Sequence, residues 1–479
     1  MPQDSVSHIC NKCVDEEYLS HAIETTGVIQ TCSYCSGSRH CITVEVLADR
    51  IETAFAEHFV RTHNEPDDWE EFLIRDPESN YIWTRSGYPV LDAIQGAARI
   101  STEAAEDVLE ILQYRHTDIE SAQMGEESEF GPDTYYEEKD SNDLPWQSEW
   151  RKFEEALKTE ARYFSRSAAA HLDAIFGGID QLRTFDGQQL VADAGPGTDL
   201  ETLFRARVFQ SESALIEAIG RPDLHVGPTP PRKATAGRMN ARGISVFYGA
   251  KERSVALAEV RPPVGSDVVV AEFLIIRHLR LLNLPALKTA IDHGSIFDPS
   301  LRERLARVAF LRTLGSKMTR PVMPDDQDFD YLATQAVADF LATENNPPLD
   351  GIIFESTQAG EGANVVLFRK ASRLRELDIP QGTKIRATTH NEDRDGPYID
   401  MSVVEEIPPP LQDGDHQASG ESWVMAMFHQ PPKVHDPRPE TLKVIADSVE
   451  VHHVNRVVVE CDAHHVDRTR RVRFDSDKF

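Results

Sequence analysis

The chain has 479 residues, more than one hydrophobic core usually serves, so about two to four domains are expected. Its formal net charge of -30 comes from 80 acidic and 50 basic residues. This charge argues against nucleic acid as the main partner, because nucleic acid is bound largely by basic residues that neutralise its phosphates. No apolar run reaches the roughly 18 to 20 residues that span a bilayer, and the first residues lack the apolar core of a secretory signal. We therefore expect a cytoplasmic protein with no membrane partner, in which the six cysteines stay reduced.

Four of the cysteines form two Cys-x2-Cys pairs, and 18 residues separate the pairs. The ligands predicted from this spacing are Cys10, Cys13, Cys32 and Cys35. The pattern is typical of a structural zinc site, in which the metal takes the place of a hydrophobic core. Since four thiolates leave no open position, zinc catalysis is not expected. The nearby Cys41 and His40 could replace one ligand, but we expect a spare thiol and a surface histidine there.

The next part of the chain has helical periodicity. Residues 45–60 and 90–115 carry apolar side chains at three- and four-residue spacing, and residues 150–182 predict one long helix or a pair. Between them, residues 118–146 are rich in acids and interrupted by prolines, which predicts a loop or mobile linker. Arg166 and His171 have the five-residue spacing of ribonucleases in the helical HEPN class, although an ordinary packed or solvated pair has the same spacing.

From residue 199 the pattern changes to short strands mixed with helices. Residues 203–209 alternate so that Arg205 and Arg207 project to one side of a strand, which suits a diphosphate or an exposed sheet face equally well. Further strands are predicted at 268–276, 350–356 and 364–368, and helices at 301–318 and 330–343. Ser356 ends one strand and Asn364 begins the next, with a glycine-containing loop between them.

The stretch 237–260 predicts a glycine-bounded turn, a short strand at 244–248 and a helix that opens at residues 251–254. It brings four side chains of interest to one place: Arg238, Asn240, Tyr248 and Glu259. On the helix, Glu259 shares the apolar face of Val255 and Ala256. A carboxylate in that position is either ion-paired or functional.

Beyond residue 369, strands are predicted at 402–407, 423–429 and 449–459. Four histidines lie within or shortly after the last of these: His452, His453, His464 and His465. Metal binding by this group is disfavoured, because alternation along a strand sends neighbouring side chains to opposite faces.

Four ordered segments resemble the RES domain, named for an Arg, a Glu and a Ser. They are LFRAR, GRMNARGISVFYGAKERSVALAEV, DYLATQAVADF and GIIFES with GANVVLF, over roughly residues 200–370. The cysteine-bearing half is similar to the zinc-containing, HEPN-like region that accompanies some RES domains. The resemblance implies a toxin of the toxin–antitoxin type with an ADP-ribosyltransferase-like fold, which degrades NAD as a phosphorylase, hydrolase or transferase. No G-x-G-x-x-G follows a strand, so NAD is expected as a substrate that is consumed.

The resemblance also implies roles for individual residues. The family arginine falls on Arg205, the glutamate on Glu259, the serine on Ser356 and the tyrosine on Tyr248. Glu259 would stabilise the positive charge that develops on the ribose, and Tyr248 would face the nicotinamide ring. Arg205, helped by Arg238, would bind the pyrophosphate, and the Ser356 hydroxyl would bind a ribose oxygen or position Glu259. Substrate-binding roles are expected for Arg238, Asn240, Arg207 and Asn364. Met239 stands where the family turn usually has tryptophan, which puts the pocket shape in question.

The predicted fold class is α+β, with a zinc-knuckle and α-helical N-terminal part and a mixed α/β RES domain. The predicted domains are a zinc segment at 1–42, a helical HEPN-like domain at 43–185, a RES domain at 198–375 and a β-rich extension at 376–479. Two rival functions stay open: a zinc-dependent binding or sensor protein with an inactive RES half, and a ribonuclease that uses Arg166 and His171. The sequence leaves open the ADP-ribose acceptor, the oligomeric state, and whether a separate antitoxin or the N-terminal half blocks the cleft.

Overall fold

The computed structural model describes residues 6–117, 127–160, 164–409 and 436–471. The chain divides into two compact units. The first contains residues 1–191, 283–340 and 344–347, and the second contains residues 192–282, 341–343 and 348–479. The first unit therefore takes a segment from the middle of the chain, which residue order alone does not indicate.

In the described part of the first unit, helices predominate. They are Glu17–Thr26, Val44–His58, Asp68–Arg75, Val90–Ala98, Thr102–His116, Leu144–Thr159, Arg166–Phe176, Leu284–Leu287, Leu301–Thr319, Gln327–Asp330 and Leu332–Thr343, the last of which ends in the second unit. Three small sheets accompany them: His8–Cys10 with Ser38–Thr43 and Val28–Thr31, Phe59–Arg61 with Tyr135–Glu138 and Tyr88–Pro89, and Ala290–Ile291 with Arg183–Thr184. The prediction of a helical N-terminal half is confirmed, with short strands added.

The helix Val44–His58 shows why these elements form. The Thr43 hydroxyl accepts a hydrogen bond from the Val46 amide at 3.4 Å and so caps the first turn. Leu47, Ile51 and Phe55 recur every four residues and are buried in one core. Local capping and helical periodicity thus lead to the same element.

The second unit is built on a mixed ten-stranded sheet. Nine strands follow one another in the order Leu374–Arg375, Leu442–Val444, Asp267–Ile275, Thr202–Phe209, Phe247–Ala250, Ala363–Leu367, Gly351–Glu355, Leu279–Asn283 and Val191–Ala194. The tenth, Glu450–His453, also pairs with Asp267–Ile275. The helices are Glu212–Gly220, Pro222–His225 and Arg253–Glu259, and a two-stranded hairpin joins Lys384–Asp393 to Gly396–Glu406.

The two faces of this sheet pack against different cores. On one face, Leu203, Phe247 and Phe273 belong to a large apolar cluster. On the other face, Ala206 and Ala250 belong to a small cluster that includes Val255 and Ala256 of the helix Arg253–Glu259. Since side chains alternate along a strand, neighbours in sequence lie in different environments.

Several predicted elements differ from the structure. The strand expected at 244–248 begins only at Phe247. Residues 127–146 are not a plain linker, because they contain the strand Tyr135–Glu138, a buried Phe130, and Glu127 paired with Arg85 at 2.7 Å. The strand expected at 449–459 ends at His453. The strand predicted at 423–429 lies outside the described residues.

Across the described ranges, no helix combines the length and the apolar composition that crossing a bilayer requires.

Candidate functional site

Glu259 stands at the centre of a hydrogen-bonded cluster formed by three separate elements. Its Oε1 atom accepts a hydrogen bond from Ser356 Oγ at 2.7 Å and another from Asn364 Nδ2 at 2.7 Å. Glu259 ends a helix, Ser356 follows the strand Gly351–Glu355, and Asn364 lies in the next strand. The structure therefore brings Glu259 together with two other predicted residues, Ser356 and Asn364, which lie about 100 positions later in the chain.

The cluster combines an exposed carboxylate with buried donors. Ser356 and Asn364 are each 5% exposed, whereas Glu259 is exposed. The expectation that Glu259 lies on an apolar helix face holds for its neighbours Val255 and Ala256 but not for its own side chain. Both hydrogen bonds reach one oxygen, and the described residues provide no hydrogen bond to Oε2. The carboxylate is thus held in one orientation while it remains accessible.

Ser356 is itself positioned by the loop that follows it. Its Oγ accepts hydrogen bonds from the amides of Gln358 at 3.2 Å and Ala359 at 3.1 Å, while its hydroxyl proton is donated to Glu259. Sequence reasoning did not single out Gln358 and Ala359. No signal in the sequence marks them, since they contribute backbone groups that any residue carries.

The loop between Ser356 and Asn364 needs glycine at position 362. Gly362 has φ +91°, and a Cβ there would lie 2.5 Å from Val255 Cγ2 and 2.9 Å from Glu252 Oε2. Its carbonyl accepts a hydrogen bond from the Ser356 amide at 3.0 Å, which closes the loop. Close approach of this loop to the Glu259 helix is therefore required for the cluster to form.

Tyr248 and Asn240 form a second part of the site. The Tyr248 hydroxyl donates to Asn240 Oδ1 at 3.0 Å and accepts from the Met239 amide at 3.0 Å. Asn240 is 5% exposed, and its Nδ2 atom contacts the carbonyl oxygens of Thr235, Ala241 and Ile244. These hydrogen bonds hold the turn in place, and the substrate-binding role of Asn240 stays a prediction.

The turn also requires glycine at position 237, because a Cβ there would lie 2.6 Å from Asn240 Oδ1 and 2.9 Å from the Tyr248 oxygen. Met239, the residue that departs from the family pattern, is 1% exposed. Arg238 between them is half-buried. Because Tyr248 projects to the same sheet face as Ala250, this turn lies on the face that carries the Glu259 helix.

Arg205 and Arg207 point to the other face of the sheet. Arg205 is 7% exposed, its Nη1 donates to the Tyr248 carbonyl at 2.8 Å, and its guanidinium lies 4.9 Å from the centre of the Phe247 ring. Burial, followed by the charge of Arg207, lowers the pKa of Arg205 well below its ordinary value. Arg207 donates to Thr229 Oγ1, and burial lowers its pKa as well.

The predicted alternation of this strand is confirmed, but the two arginines lie on the sheet face that is opposite to the Glu259 helix. Phe247 belongs to the large apolar cluster, whereas the Glu259 helix packs on the opposite face. The geometry therefore does not place Arg205 or Arg207 beside Glu259. Arg205 instead supports the backbone of the strand that carries Tyr248.

Comparison with known protein families finds a match in this part of the chain. Residues 206–390 match the RES domain. The RES match includes Arg238, Tyr248, Glu259, Ser356 and Asn364, and it begins one residue after Arg205. The match covers less than half of the chain, so it describes this segment and not the whole chain. Neither the curated proteins nor the solved structures include a match to the chain.

The four predicted cysteines form a cluster outside the RES segment. Their sulfur atoms all lie within 4.8 Å of one another. Three of the separations are 3.7 Å for Cys10–Cys13, 3.6 Å for Cys10–Cys35 and 3.7 Å for Cys32–Cys13. Sulfur ligands about 2.3 Å from a tetrahedral zinc ion are about 3.8 Å apart, so the cluster could bind such an ion.

The thiols around this cluster do not have the same acidity. Burial raises the pKa of Cys10 and of Cys13. At Cys32 burial acts in the same direction, but hydrogen bonds from backbone amides outweigh it and lower the pKa to about 7. Cys41 contacts the Gln30 and Arg39 carbonyls and is not a member of the four-sulfur group.

In two other groups of predicted residues, the members have different surroundings. His171 lies against Phe153, with 5.5 Å between ring centres, while Arg166 on the same helix is exposed. At the C-terminal end, His452 pairs with Glu450 at 3.1 Å and His453 with Asp267 at 2.9 Å. Each of these two neighbouring histidines therefore has its own carboxylate partner.

Proposed function

We propose that the RES segment consumes NAD by breaking the bond between nicotinamide and ribose, and that Glu259 stabilises the transition state. The observation that carries the proposal is the exposed Glu259 carboxylate held by two buried donors, Ser356 and Asn364. A match to the RES family is consistent with an NAD-related function.

The chemistry suits a fixed carboxylate. When nicotinamide leaves as a neutral group, positive charge develops on the ribose, and the transition state resembles an oxocarbenium ion. A preorganised anion stabilises that charge without having to reorient, and removal of such a group typically costs on the order of 10² to 10³ in rate. Glu259 needs no proton transfer for this role.

Arg238 is the better placed arginine for the NAD pyrophosphate. It belongs to the turn next to Tyr248, on the sheet face of the Glu259 helix, and it is only half-buried. Guanidinium groups bind phosphate oxygens through charge-assisted paired hydrogen bonds. We therefore assign the pyrophosphate to Arg238 and the support of the Tyr248 strand to Arg205.

The exposure of Glu259 bears on the acceptor of ADP-ribose. Because the Glu259 carboxylate is exposed, water, inorganic phosphate or a protein side chain could approach a ribose bound beside it. Mass analysis of the products distinguishes these acceptors, because ADP-ribose, its phosphorylated form and a protein adduct differ in mass.

Nicotinamide release tests the proposal. Purified full-length protein is incubated with NAD, with and without phosphate, and compared with Glu259→Gln, which keeps the size of the side chain. We expect release by the wild type and a loss of 10² to 10³ in rate for the variant. Arg166→Gln, an exposed change outside the RES segment, is the matched control and should retain the wild-type rate.

Two results would reject this function. One is the absence of nicotinamide release from folded wild-type protein under both conditions, which would favour a binding or sensor role. The other is an unchanged rate in Glu259→Gln. Cleavage of RNA that survives Glu259→Gln and is lost in His171→Gln would instead favour the ribonuclease.

A further inference from the structure

The strand Glu450–His453 lies outside the segment that matches the RES domain, yet it belongs to the same sheet. It pairs in antiparallel fashion with the strand Asp267–Ile275. Just beyond it, the Val454 amide donates a hydrogen bond to the Ser266 carbonyl at 3.0 Å. This late part of the chain is therefore fixed to the sheet that carries the Glu259 cluster.

The side chains of this strand alternate between the two faces of the sheet. Glu450 and His452 each stand opposite a valine of the small apolar cluster, on which the Glu259 helix also packs. Val451, which lies between them, packs against the large apolar cluster of the other face. Glu450 and His452 therefore project from the sheet face that carries the Glu259 helix.

Glu450 binds the first residue of the Glu259 helix. Its Oε1 atom accepts a hydrogen bond from Nη1 of Arg253, and its Oε2 atom lies 3.1 Å from Nε2 of His452. The Arg253 guanidinium also lies 5.3 Å from the centre of the Phe204 ring, which packs against the same small cluster. Arg253 is thus held by a carboxylate and by an aromatic ring, and both carboxylate oxygens have a partner.

The Glu259 helix is too short to keep its position without tertiary contacts. It has seven residues, and isolated helices shorter than about 12 to 15 residues are only marginally stable in water. Its last residue is Glu259, which Ser356 and Asn364 hold by hydrogen bonds. The contact of Arg253 with Glu450 fixes the opposite end of the helix, and so the direction from which the carboxylate reaches these two donors.

We propose that Glu450 is a positioning residue for the NAD-cleaving site, and that it acts on Glu259 through Arg253. The strand Glu450–His453 would then be part of the active unit, although it lies beyond the RES match. This inference rests on the proposed function of Glu259. Because Glu450 acts through another residue, its loss should change kcat more than KM.

Steady-state nicotinamide release by the full-length protein tests the inference in Glu450→Gln, in Arg253→Met and in the double variant. The ion pair is partly exposed, so we expect each single change to lower kcat about three- to fivefold, with little change in KM. The double variant should lose no more than Arg253→Met alone, because both changes remove the same contact. The matched control is His453→Gln, which breaks the pair with Asp267 on the other side of the strand and should keep the wild-type kcat.

Hydrogen–deuterium exchange provides a second measurement that needs no activity. Peptides that cover residues 253–259 should exchange faster in Glu450→Gln than in the wild type, and at the wild-type rate in His453→Gln. If the wild type released no nicotinamide, the proposed function would fail, while this comparison would still decide whether Glu450 holds the helix.

Three results would overturn the inference. The first is equal exchange of residues 253–259 in Glu450→Gln and in the wild type. The second is an unchanged kcat in Glu450→Gln when the wild type is active. The third is a double variant in which the two single losses of kcat multiply, since Arg253 and Glu450 would then act independently.

Discussion

Two arginines with predicted roles at the site have different surroundings. Arg205 is buried under the strand that carries Tyr248, whereas Arg238 is half-buried in the adjoining turn. We predict that Arg205→Met lowers the free energy of unfolding by about 2 to 3 kcal/mol, because the Tyr248 carbonyl loses a charged donor. Arg238→Met should lower the free energy of unfolding less than Arg205→Met does, because Arg238 is only half-buried, and it should raise the KM for NAD about tenfold.

Chemical denaturation and nicotinamide-release kinetics measure these two effects on the same preparations. If Arg238→Met unfolded more readily than Arg205→Met while NAD kinetics responded only to Arg205, the assignment of the two arginines would be reversed.

The Ser356 hydroxyl positions Glu259 and need not contact the substrate. Ser356→Ala removes one of the two hydrogen bonds to Glu259 Oε1. We expect kcat to fall about tenfold while KM changes less, since orientation matters most in the transition state. Steady-state kinetics of nicotinamide release measure the split, with the exposed neighbour change Thr357→Ala as control. A rise in KM at constant kcat would indicate a substrate contact instead.

Among the larger elements, the loop 356–362 joins the two strands of the site. Gly360 and Gly362 both have positive φ, at +74° and +91°, but only a Cβ at position 362 would meet neighbouring atoms. Gly360→Ala should therefore show the cost of backbone strain alone, about 1 kcal/mol. Gly362→Ala should cost more and also reduce activity, because the loop must move away from the Glu259 helix.

Thermal unfolding together with nicotinamide release compares this pair of variants. Equal stability losses with equal activities would show that the contact between Gly362 and Val255 does not hold the loop.

The four-cysteine cluster lies in the N-terminal segment, beside a hydrophobic core that includes Ile9, Leu19 and Ile23. We predict about one zinc ion per chain and loss of that ion in Cys13→Ser, with lower thermal stability, because metal binding and folding are coupled in such sites. Cys41→Ser should keep the ion, since Cys41 is outside the four-sulfur group. Elemental analysis after dialysis measures the metal. Equal zinc contents in both variants would contradict the assignment.

The stability of the whole molecule should depend on pH through its buried histidines. Burial lowers the pKa of His58 and His171 below the ordinary 6.5. The carboxylates of Glu57, Glu138 and Glu149 oppose this lowering, while Arg302 and Lys139 add to it at His58. Below about pH 6.5 the unfolded chain binds protons first, so the free energy of unfolding falls as the pH decreases.

For each unit by which the folded-state pKa is lowered, the free energy of unfolding falls by about 1.4 kcal/mol in total. The fall is complete only when the pH is below the folded-state pKa. Urea denaturation at pH 7.5 and 5.5 measures the change, and His58→Gln with His171→Gln should make it smaller. A wild-type protein that is more stable at pH 5.5 than at pH 7.5, with no difference in the double variant, would show that the histidines do not act in this way.

Much of the secondary structure was predictable because it depends on local spacing. The helices Val44–His58 and Leu301–Thr319 and the strand Thr202–Phe209 follow periodic apolar residues, and the sequence predicted each to within about two residues. The strand Phe247–Ala250 was placed three residues too early, because the turn before it is held by Asn240 and Tyr248 rather than by local preference. The sequence also contains no sign that residues 283–340 join the first unit.

The sequence by itself determined which chemical groups are available: four cysteines at metal-ligand spacing, a glutamate near the end of a short helix, and a serine and an asparagine on either side of a glycine-containing loop. Only the tertiary structure decided which of them meet. In the folded sheet, Ser356 and Asn364 both donate hydrogen bonds to Oε1 of Glu259. Arg205 lies over the Phe247 ring on the opposite face of the sheet. The reason is physical: alternation along a strand is local, but the helix or core that covers each face comes from distant parts of the chain.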